Sequence, residues 1–536
     1  MRRLLAKTIA ALALTTALAA APALAPSAAW ADDTLDRGVG SEWSSLDPQV
    51  NFDAAAGLIL MDAYEGLVTF GPGGKILPGA AESWEISEDG LTYTFHLRDG
   101  LKWSNGDPLV AQDFVASVLR TLNPETLSDK GYYFYSVVQI AGAAALANRE
   151  TSDAATLGVT APDDRSVVIR LAAPAPHLLN ILGAFQIPPL HGPSFQANGA
   201  AGFTDPGKTV SNGAYMFKEI VPQSHVLLVR NPNYWDADNV KIPQVKYHVT
   251  EDVTTELKRF EAGEIDVTYD VPAAMLDKLA QTRPDELILS PATEVLYFDF
   301  NLTHEPLKDI NLRTALSWAI DRETLMSKIV KTGAVPTYSY AGGFDPDYHG
   351  PQMPGAELTQ AEREAKAQEL YAAAGYGPGN PLKLTIVTTV AEDRVKTAQG
   401  IALMWKKVLG VEARVNPVER KAWLDSFYAG DWDVFADDLI GDFPGAETFL
   451  AYMRPSTEPG YNWVKPEFDA AMDKAATLTE KAARNAALAE AEKLLLDDMI
   501  FAPVAIESSR MLVSSHVHGW VPSALGYYNS QFLTLD

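Results

Sequence analysis

The feature that most constrains this chain is the absence of cysteine from all 536 residues, behind an N-terminus that predicts export. Three cations precede residue 8, residues 9–24 are apolar, and Ala29-Trp30-Ala31 offers small residues for cleavage. This order is typical of a secretory signal peptide, here residues 1–31. An exported chain without cysteine cannot form disulfides, so hydrophobic cores must stabilise it.

The size and charge of the mature chain narrow its fold and its partners. Cleavage after Ala31 leaves about 505 residues, more than one hydrophobic core usually holds, so we expect two or three lobes. Loss of the three cations takes the net charge from −26 to −29, which disfavours nucleic acid and anionic lipid as partners. The apolar segment is too short to span a bilayer, so no stable membrane insertion is expected. Without a cysteine to carry a lipid anchor, the mature chain is predicted to diffuse freely in a periplasm.

Segments with strand and helix periodicity alternate along the chain. Residues 92–98 place Tyr93, Phe95 and Leu97 at alternate positions, as in a half-buried strand. Residues 110–122 have helical spacing, residues 166–171 favour a strand, and residues 359–374 favour an amphipathic helix. The alternation predicts a mixed α/β architecture.

One helix-to-strand pattern occurs twice, about 165 residues apart. A helical segment at 257–260 leads into Ala262-Gly-Glu-Ile-Asp-Val267, and one at 423–428 leads into Ala429-Gly-Asp-Trp-Asp-Val434. Each copy is interpreted as a helix, a glycine stop and a strand. The repeat favours two α/β lobes built on the same crossing.

Several motifs have a functional and a plainer interpretation. Residues 202–209, Gly-Phe-Thr-Asp-Pro-Gly-Lys-Thr, match the nucleotide P-loop pattern, but neither a strand before them nor a helix after them is predicted. The acids Asp431, Asp433, Asp437, Asp438 and Asp442 lack calcium-loop spacing and are expected to form a solvated acidic rim, with Asp442 as the exception.

The chain offers no visible catalytic or metal-binding set. His516 and His518 alternate on a predicted strand without a nearby third ligand, which favours a surface or interface pair over zinc. No Gly-x-Ser-x-Gly, His-Glu-x-x-His or cysteine nucleophile is present. We therefore predict no enzyme, no cofactor and no metal.

A family resemblance extends over nearly the whole mature chain. Its motifs are Ala80-Ala-Glu-Ser-Trp84-Glu, Leu91-Thr-Tyr-Thr-Phe95-His-Leu-Arg98, Leu101-Lys-Trp103-Ser-Asn-Gly106-Asp-Pro, Ser211-Asn-Gly213-Ala-Tyr215, Asn231-Pro-Asn-Tyr234-Trp235 and Asn311-Leu-Arg313-Thr-Ala-Leu316. In this order they resemble family 5 of the extracellular solute-binding proteins, the peptide/nickel/dipeptide class. Within that class the likeness is closest to periplasmic oligopeptide-binding proteins.

The resemblance implies an α/β, periplasmic-binding-protein-like fold of type II, cluster C. Two α/β lobes close over the ligand and an extra lobe pads one side. By resemblance, lobe I holds residues 32–65, 190–292 and 510–536, lobe II holds 66–189, and lobe III holds 293–509. The two copies of the helix-to-strand pattern then fall in the two closing lobes.

The same resemblance assigns candidate ligand-binding residues. The family pairs an extended peptide with strand edges, here Phe52-Asp53-Ala54 of lobe I and Asp438-Leu439-Ile440-Gly441 of lobe III. Asp442 corresponds to the carboxylate that pairs with the α-amine of the peptide. Arg394 stands where the family has a histidine that can meet a peptide carboxylate. Four further family positions near the ligand differ, because they are Arg420, Phe427, Ala436 and Leu439 here.

The resemblance thus predicts a monomeric periplasmic protein that binds short peptides and delivers them to an inner-membrane ABC permease. A modified peptide such as a cell-wall fragment, or another solute of the same transporter class, is the alternative. A secreted hydrolase is a distant third.

Overall fold

The computed structural model describes residues 34–536 apart from 52, 185–187, 346 and 455–462. The predicted signal peptide and Phe52 therefore lie outside the described residues. Residues Thr34–Asp536 form one compact unit.

Strands and helices alternate through the described chain, which confirms the predicted mixed α/β class. The strands are β1 (Thr34–Gly38), β2 (Val68–Phe70), β3 (Ile76–Pro78), β4 (Ala81–Ile86), β5 (Thr92–Leu97), β6 (Val159–Asp163), β7 (Ser166–Arg170), β8 (Tyr215–Val221), β9 (His225–Arg230), β10 (Gln244–His248), β11 (Leu287–Phe300), β12 (Val335–Pro336), β13 (Lys383–Thr389), β14 (Glu412–Val418), β15 (Val434–Ile440), β16 (Phe501–Leu512), β17 (Val517–His518) and β18 (Thr534–Leu535).

The α-helices fall between these strands. They are α1 (Ala54–Ala63), α2 (Ala111–Leu122), α3 (Ala143–Ala147), α4 (Leu178–Ala184), α5 (Gly192–Asn198), α6 (Val253–Glu261), α7 (Leu276–Thr282), α8 (Glu305–Lys308), α9 (Ile310–Trp318), α10 (Arg322–Thr324), α11 (Gln360–Ala373), α12 (Glu392–Leu409), α13 (Arg420–Ala429), α14 (Ala446–Ala451), α15 (Pro466–Thr477) and α16 (Lys481–Asp497). In the described residues no helix has the length and apolarity that a bilayer crossing requires.

The elements predicted from periodicity are confirmed with small shifts at their ends. The strands β5 and β7 and the helices α2 and α11 occupy the predicted segments. The helix α11 begins after Thr359, whose side chain accepts a hydrogen bond from the backbone of Glu362 in a capping box. It ends just before Gly375, whose φ of +87° suits a glycine.

Three larger sheets organise the molecule. Their strand orders are β1-β10-β9-β8, β4-β5-β7-β6 and β12-β16-β11-β15-β13-β14. In the third sheet β13 pairs in parallel with both β14 and β15, whereas β11 is antiparallel to β15 and β16. Each sheet packs against a hydrophobic core of its own.

Two long strands, β11 and β16, run between two of these cores. The end of β16 at Met511 packs in the core of the first sheet, while its start at Phe501 packs in the core of the third. Their pairing shifts register between Pro291 and Val295. The lobe boundaries predicted at 292/293 and 509/510 fall inside these strands.

The repeated helix-to-strand pattern is only half reproduced. In the second copy α13 ends at Gly430, with φ of +68°, and β15 follows. In the first copy α6 and Gly263 are present, but Val267 forms only isolated bridges to Arg37 and Val513. The first crossing is therefore shorter than the sequence predicted.

The P-loop-like segment has none of the P-loop geometry. Helix α5 precedes it, residues Gly199–Thr204 form a 3-10 helix, and Asp205 to Thr209 form a turn. A strand before the glycine and a helix after it are both missing from this described segment, as expected from the sequence.

Candidate functional site

The carboxyl ends of the parallel strands β13, β14 and β15 gather several predicted residues. In α/β sheets, ligands bind in the crevice outside these ends. Arg394 follows β13 at the start of α12, Arg420 opens α13 after β14, and Asp442 follows β15. Most of the candidates that the sequence assigned to lobe III thus lie on one strand or beside its end.

One edge of β15 is partly open. The strand β13 pairs with β15 only at Val434 and Phe435, and no other described strand continues that edge. On the opposite edge the backbone N–H of Gly441 donates to Thr293 O at 2.8 Å. Because hydrogen bonding alternates along an antiparallel pair, Leu439 and Gly441 face β11, while Asp438 and Ile440 face the open edge.

This alternation refines the predicted ligand-pairing edge. The N–H of Asp438 donates to Asp437 Oδ1, so its carbonyl and both backbone groups of Ile440 remain directed at the open edge. Ile440 is 64% exposed. Of the four predicted edge residues, only Asp438 and Ile440 are therefore oriented to pair with an added strand.

Asp442 is a half-buried carboxylate with a hydrogen-bond partner from a distant part of the chain. Its Oδ1 accepts a hydrogen bond from the hydroxyl of Tyr133 at 2.9 Å, and its backbone N–H donates to Thr448 Oγ1 at 3.0 Å. Burial raises the pKa of Asp442 to about 6, while the hydrogen bonds from Tyr133 and Thr448 oppose the rise. Near neutral pH the carboxylate is mostly ionised, and its partners among the described residues carry no full positive charge, so it can stabilise a cation.

The segment around Asp442 is held on both sides. Phe443 is buried in the core of the second sheet and stacks on His177, with ring centroids 4.8 Å apart. A Cβ at Gly441 would lie 2.7–2.8 Å from Phe449, Thr293 and Thr448, so only glycine fits there. This close packing fixes where the Asp442 carboxylate points.

Arg394 lies in an ion-pair network. Its Nη2 is 2.7 Å from Glu294 Oε1, its Nε is 3.4 Å from Asp438 Oδ1, and its Nη1 contacts Glu507. Burial raises the pKa of Glu294 to about 8, with the nearby Asp438 charge contributing. The sequence placed Arg394 to meet a ligand carboxylate, but each of its guanidinium nitrogens already faces an acid.

The predicted lobe I edge has a different structure from the one expected. Asp53 caps α1 by accepting from Ala56 N at 2.7 Å, and it also accepts from the backbone and side chain of Ser44. Ala54 is the first residue of that helix. The described part of Phe52-Asp53-Ala54 is therefore a helix start, because a capping Asp ahead of an apolar run favours a helix.

The remaining acids and histidines have separate partners. Asp433 contacts His304, Asp437 accepts from Tyr297 and is buried, and Asp431 is exposed, so a solvated rim was the wrong description for Asp437. His516 and His518 pair with different acids, Asp266 and Asp536. The described residues hold no group of three or more potential metal ligands.

Sequence reasoning missed Tyr133, Glu294 and Glu507. Tyr133 belongs to the aromatic run 132–135, and each glutamate adjoins an apolar stretch of its strand, residues 295–298 after Glu294 and residues 501–506 before Glu507. An acid beside an apolar stretch of a strand is a signal that could have been used, since buried carboxylates are rarely left without a partner.

Comparison with known proteins places this geometry in a wider group. The model for "Bacterial extracellular solute-binding proteins, family 5 Middle" matches residues 75–461. The periplasmic murein peptide-binding protein MppA of Escherichia coli K12 is 34% identical over 511 residues, covering 93% of each chain. The periplasmic oligopeptide-binding protein OppA of the same strain is 32% identical over 497 residues, covering 91% of this chain and 89% of OppA.

A solved structure agrees with these sequence matches. The unliganded open form of MppA superposes with a TM-score of 0.84 at 31% identity, covering 94% of this chain and 98% of that one. This match confirms the type II periplasmic-binding fold expected from the sequence.

Proposed function

The chain belongs to the bacterial extracellular solute-binding proteins of family 5, and from that membership we propose that it captures short peptides in the periplasm for an ABC importer. The observation that carries the proposal is Asp442, an incompletely compensated carboxylate at the end of a strand with an open edge. Two relatives are named as periplasmic peptide-binding proteins. Binding without catalysis, followed by delivery to an inner-membrane permease, completes the proposed role.

The main chain of the peptide pairs with the open edge of β15. The carbonyl of Asp438 and the backbone groups of Ile440 supply the hydrogen bonds. Pairing of this kind gives affinity without reading side chains, because every peptide carries the same backbone groups.

The α-amine of the peptide pairs with Asp442. An ammonium that loses water inside a closed cleft needs a fixed counter-charge, since an unpaired buried charge costs several kcal/mol. The carboxylate also sets the register of the peptide along β15. The segment that holds Asp442 is rigid enough for this, because Phe443 is packed in a second core.

The proposed lobes are residues 32–65, 190–292 and 510–536, then 66–189, then 293–509. The separate sheets and cores support this division, and the strands β11 and β16 supply the connection between lobes I and III. Closure is a hinge motion at these strands.

A cell-wall peptide is the second candidate ligand. MppA, which is 34% identical to this chain, is named for murein peptide. The proposed α-amine site serves either ligand, so it does not discriminate between the two candidates.

Calorimetry with hexaalanine and its N-acetylated form tests the proposal. Hexaalanine should bind, whereas acetylation or Asp442→Asn should each weaken binding by about 3–5 kcal/mol, because each breaks a buried ion pair. The two changes together should add little. Asp425→Asn is the control, because Asp425 is an exposed acid that pairs with Lys421 on α13. Equal binding of both peptides by the parent protein would contradict the α-amine assignment.

A second experiment identifies the ligand class. Native mass spectrometry of co-purified ligand distinguishes plain peptides from cell-wall fragments.

A further inference from the structure

Arg394 is paired with more acidic side chains than are needed to neutralise its single positive charge. Three carboxylates, from Glu294 on β11, Asp438 on β15 and Glu507 on β16, surround its one positive charge. All four side chains are largely buried, with exposed fractions between 12% and 24%. A ligand carboxylate placed here would meet a net negative charge rather than an available guanidinium.

The charged residues around the network do not change its net negative charge to a positive one. Asp393 precedes Arg394 on α12, and Arg510 of β16 lies close enough to interact with both Asp393 and Glu507. Arg510 is itself paired with Asp270 at 2.9 Å. Arg510 is therefore matched by an acid of its own, and the three acids around Arg394 outnumber its single positive charge.

The network also lies beside the open edge of β15. Asp438 contributes its side chain to the network, and its carbonyl faces that edge. It precedes Asp442 by four residues, which is about 13 Å along an extended chain. A peptide with its α-amine at Asp442 and its backbone along β15 would bring its fourth or fifth residue to Asp438.

From this geometry we infer that the Arg394 network is a specificity element that selects a cationic side chain at about the fourth or fifth residue of the ligand. The inference rests on the proposed peptide-binding function. Arg394 acts as a positioning residue, because its guanidinium holds the three acids together beside the open edge of β15. The selected group is a lysine-like or arginine-like cation, and a carboxylate at the same place is rejected by like charge.

Hexaalanine with a single substitution at residue 3, 4 or 5 tests this inference. Lysine, N-acetyl-lysine and glutamate are placed at each position in turn, so that charge varies at nearly constant size for the first two. At one position lysine should bind about tenfold or more tighter than N-acetyl-lysine, and glutamate should bind weakest, as expected for a charge that pairs inside a cleft. Lysine and glutamate within about twofold at all three positions would overturn the inference.

Two variants connect the preference to the network. Glu507→Gln removes a carboxylate at constant size, and Glu294→Gln removes the carboxyl that can lose its proton beside a cation, so the lysine-to-glutamate affinity ratio should fall about tenfold in each. Glu412→Gln is the control, because Glu412 is an exposed acid on β14 that pairs with Lys383, and it should keep the ratio of the parent. A ratio unchanged in both network variants would assign the network a structural role only.

Proton release gives a readout that a structural role would not produce. Because the pKa of Glu294 is about 8, this carboxyl is largely protonated at pH 7, and a cation beside it should displace the proton. Calorimetry in two buffers of different ionisation enthalpy should show more protons released by the lysine peptide than by its N-acetyl-lysine partner. Equal release would contradict the inference. Failure of the proposed function is distinct, because hexaalanine itself would then not bind.

Discussion

The hydroxyl of Tyr133 donates a hydrogen bond of 2.9 Å to Oδ1 of Asp442, although the two residues are 309 positions apart in the chain. Tyr133 belongs to the proposed lobe II and Asp442 to the proposed lobe III. The phenol stabilises the ionised form of a carboxylate that burial would otherwise protonate. It therefore keeps Asp442, the proposed partner of a peptide α-amine, charged near neutral pH.

Replacing Tyr133 by Phe should shift the pH dependence of peptide binding. Asp442 must be ionised to pair with an ammonium, so affinity is full well above its pKa of about 6 and is lost as the pH falls through that value. Without the hydroxyl the pKa rises further, and the acid limb of the affinity curve should move up by about one pH unit. Hexaalanine affinity measured by calorimetry between pH 5 and 8 checks this.

The neighbouring residue Tyr135 provides a matched control for that shift. It is half-buried and contacts the ring of Tyr132, so Tyr135→Phe removes a hydroxyl from the same segment without touching Asp442. Its acid limb should coincide with that of the parent protein. If Tyr133→Phe also coincides, the hydroxyl does not tune Asp442.

Local patterns predicted much of the fold because they depend on near neighbours. The alternation of Tyr93, Phe95 and Leu97 sets β5, and the capping box at Thr359 sets the start of α11. Asp53 carried the same kind of local signal, since a capping residue stood before an apolar run. The family resemblance assigned Asp53 to the ligand-pairing edge of lobe I, and the structure places the start of α1 there.

The environment of Arg394 could not be predicted in the same way. Its partners Glu294 and Glu507 are 100 and 113 positions away, and the order of strands that brings them together is not written in any local pattern. A guanidinium at a family ligand position was therefore interpreted as a carboxylate receptor. Only the sheet order β16-β11-β15 shows that acids of the protein itself already pair with this guanidinium.

Asp442→Asn should stabilise the ligand-free protein while it removes peptide binding. The pKa of this carboxyl is raised from 3.8 to about 6 in the folded protein. Ionising it therefore lowers the free energy of unfolding once the pH exceeds the pKa that Asp442 has in the unfolded chain. The variant should match the parent near pH 4 and exceed it above pH 6, by up to about 3 kcal/mol. Urea unfolding at both pH values measures the difference. A variant less stable than the parent at pH 7.5 would show that Asp442 is not strained by burial.

Arg394→Met should destabilise the protein strongly. Three buried acids would lose the cation that they share, and breaking a buried ion pair typically costs about 3–5 kcal/mol. The loss should shrink as the pH falls towards 5, because protonation then neutralises the acids. Lys481→Met is the control, since Lys481 also bridges two acids but is about half exposed, and it should cost under about 1 kcal/mol. Equal losses in the two variants would contradict a buried network.

Peptide binding should close the molecule at the strands β11 and β16. These strands connect the cores of the first and third sheets, and their pairing is interrupted between Pro291 and Val295, where an irregular ladder bends most easily. Each lobe alone offers only part of a ligand site, so closure brings the parts together.

Small-angle scattering with saturating hexaalanine should show a smaller radius of gyration than the ligand-free protein. The same peptide with Asp442→Asn should leave the profile unchanged at that concentration, because binding is lost. A parent profile that does not change at saturation, with binding verified by calorimetry in the same buffer, would mean that the peptide is captured without hinge closure.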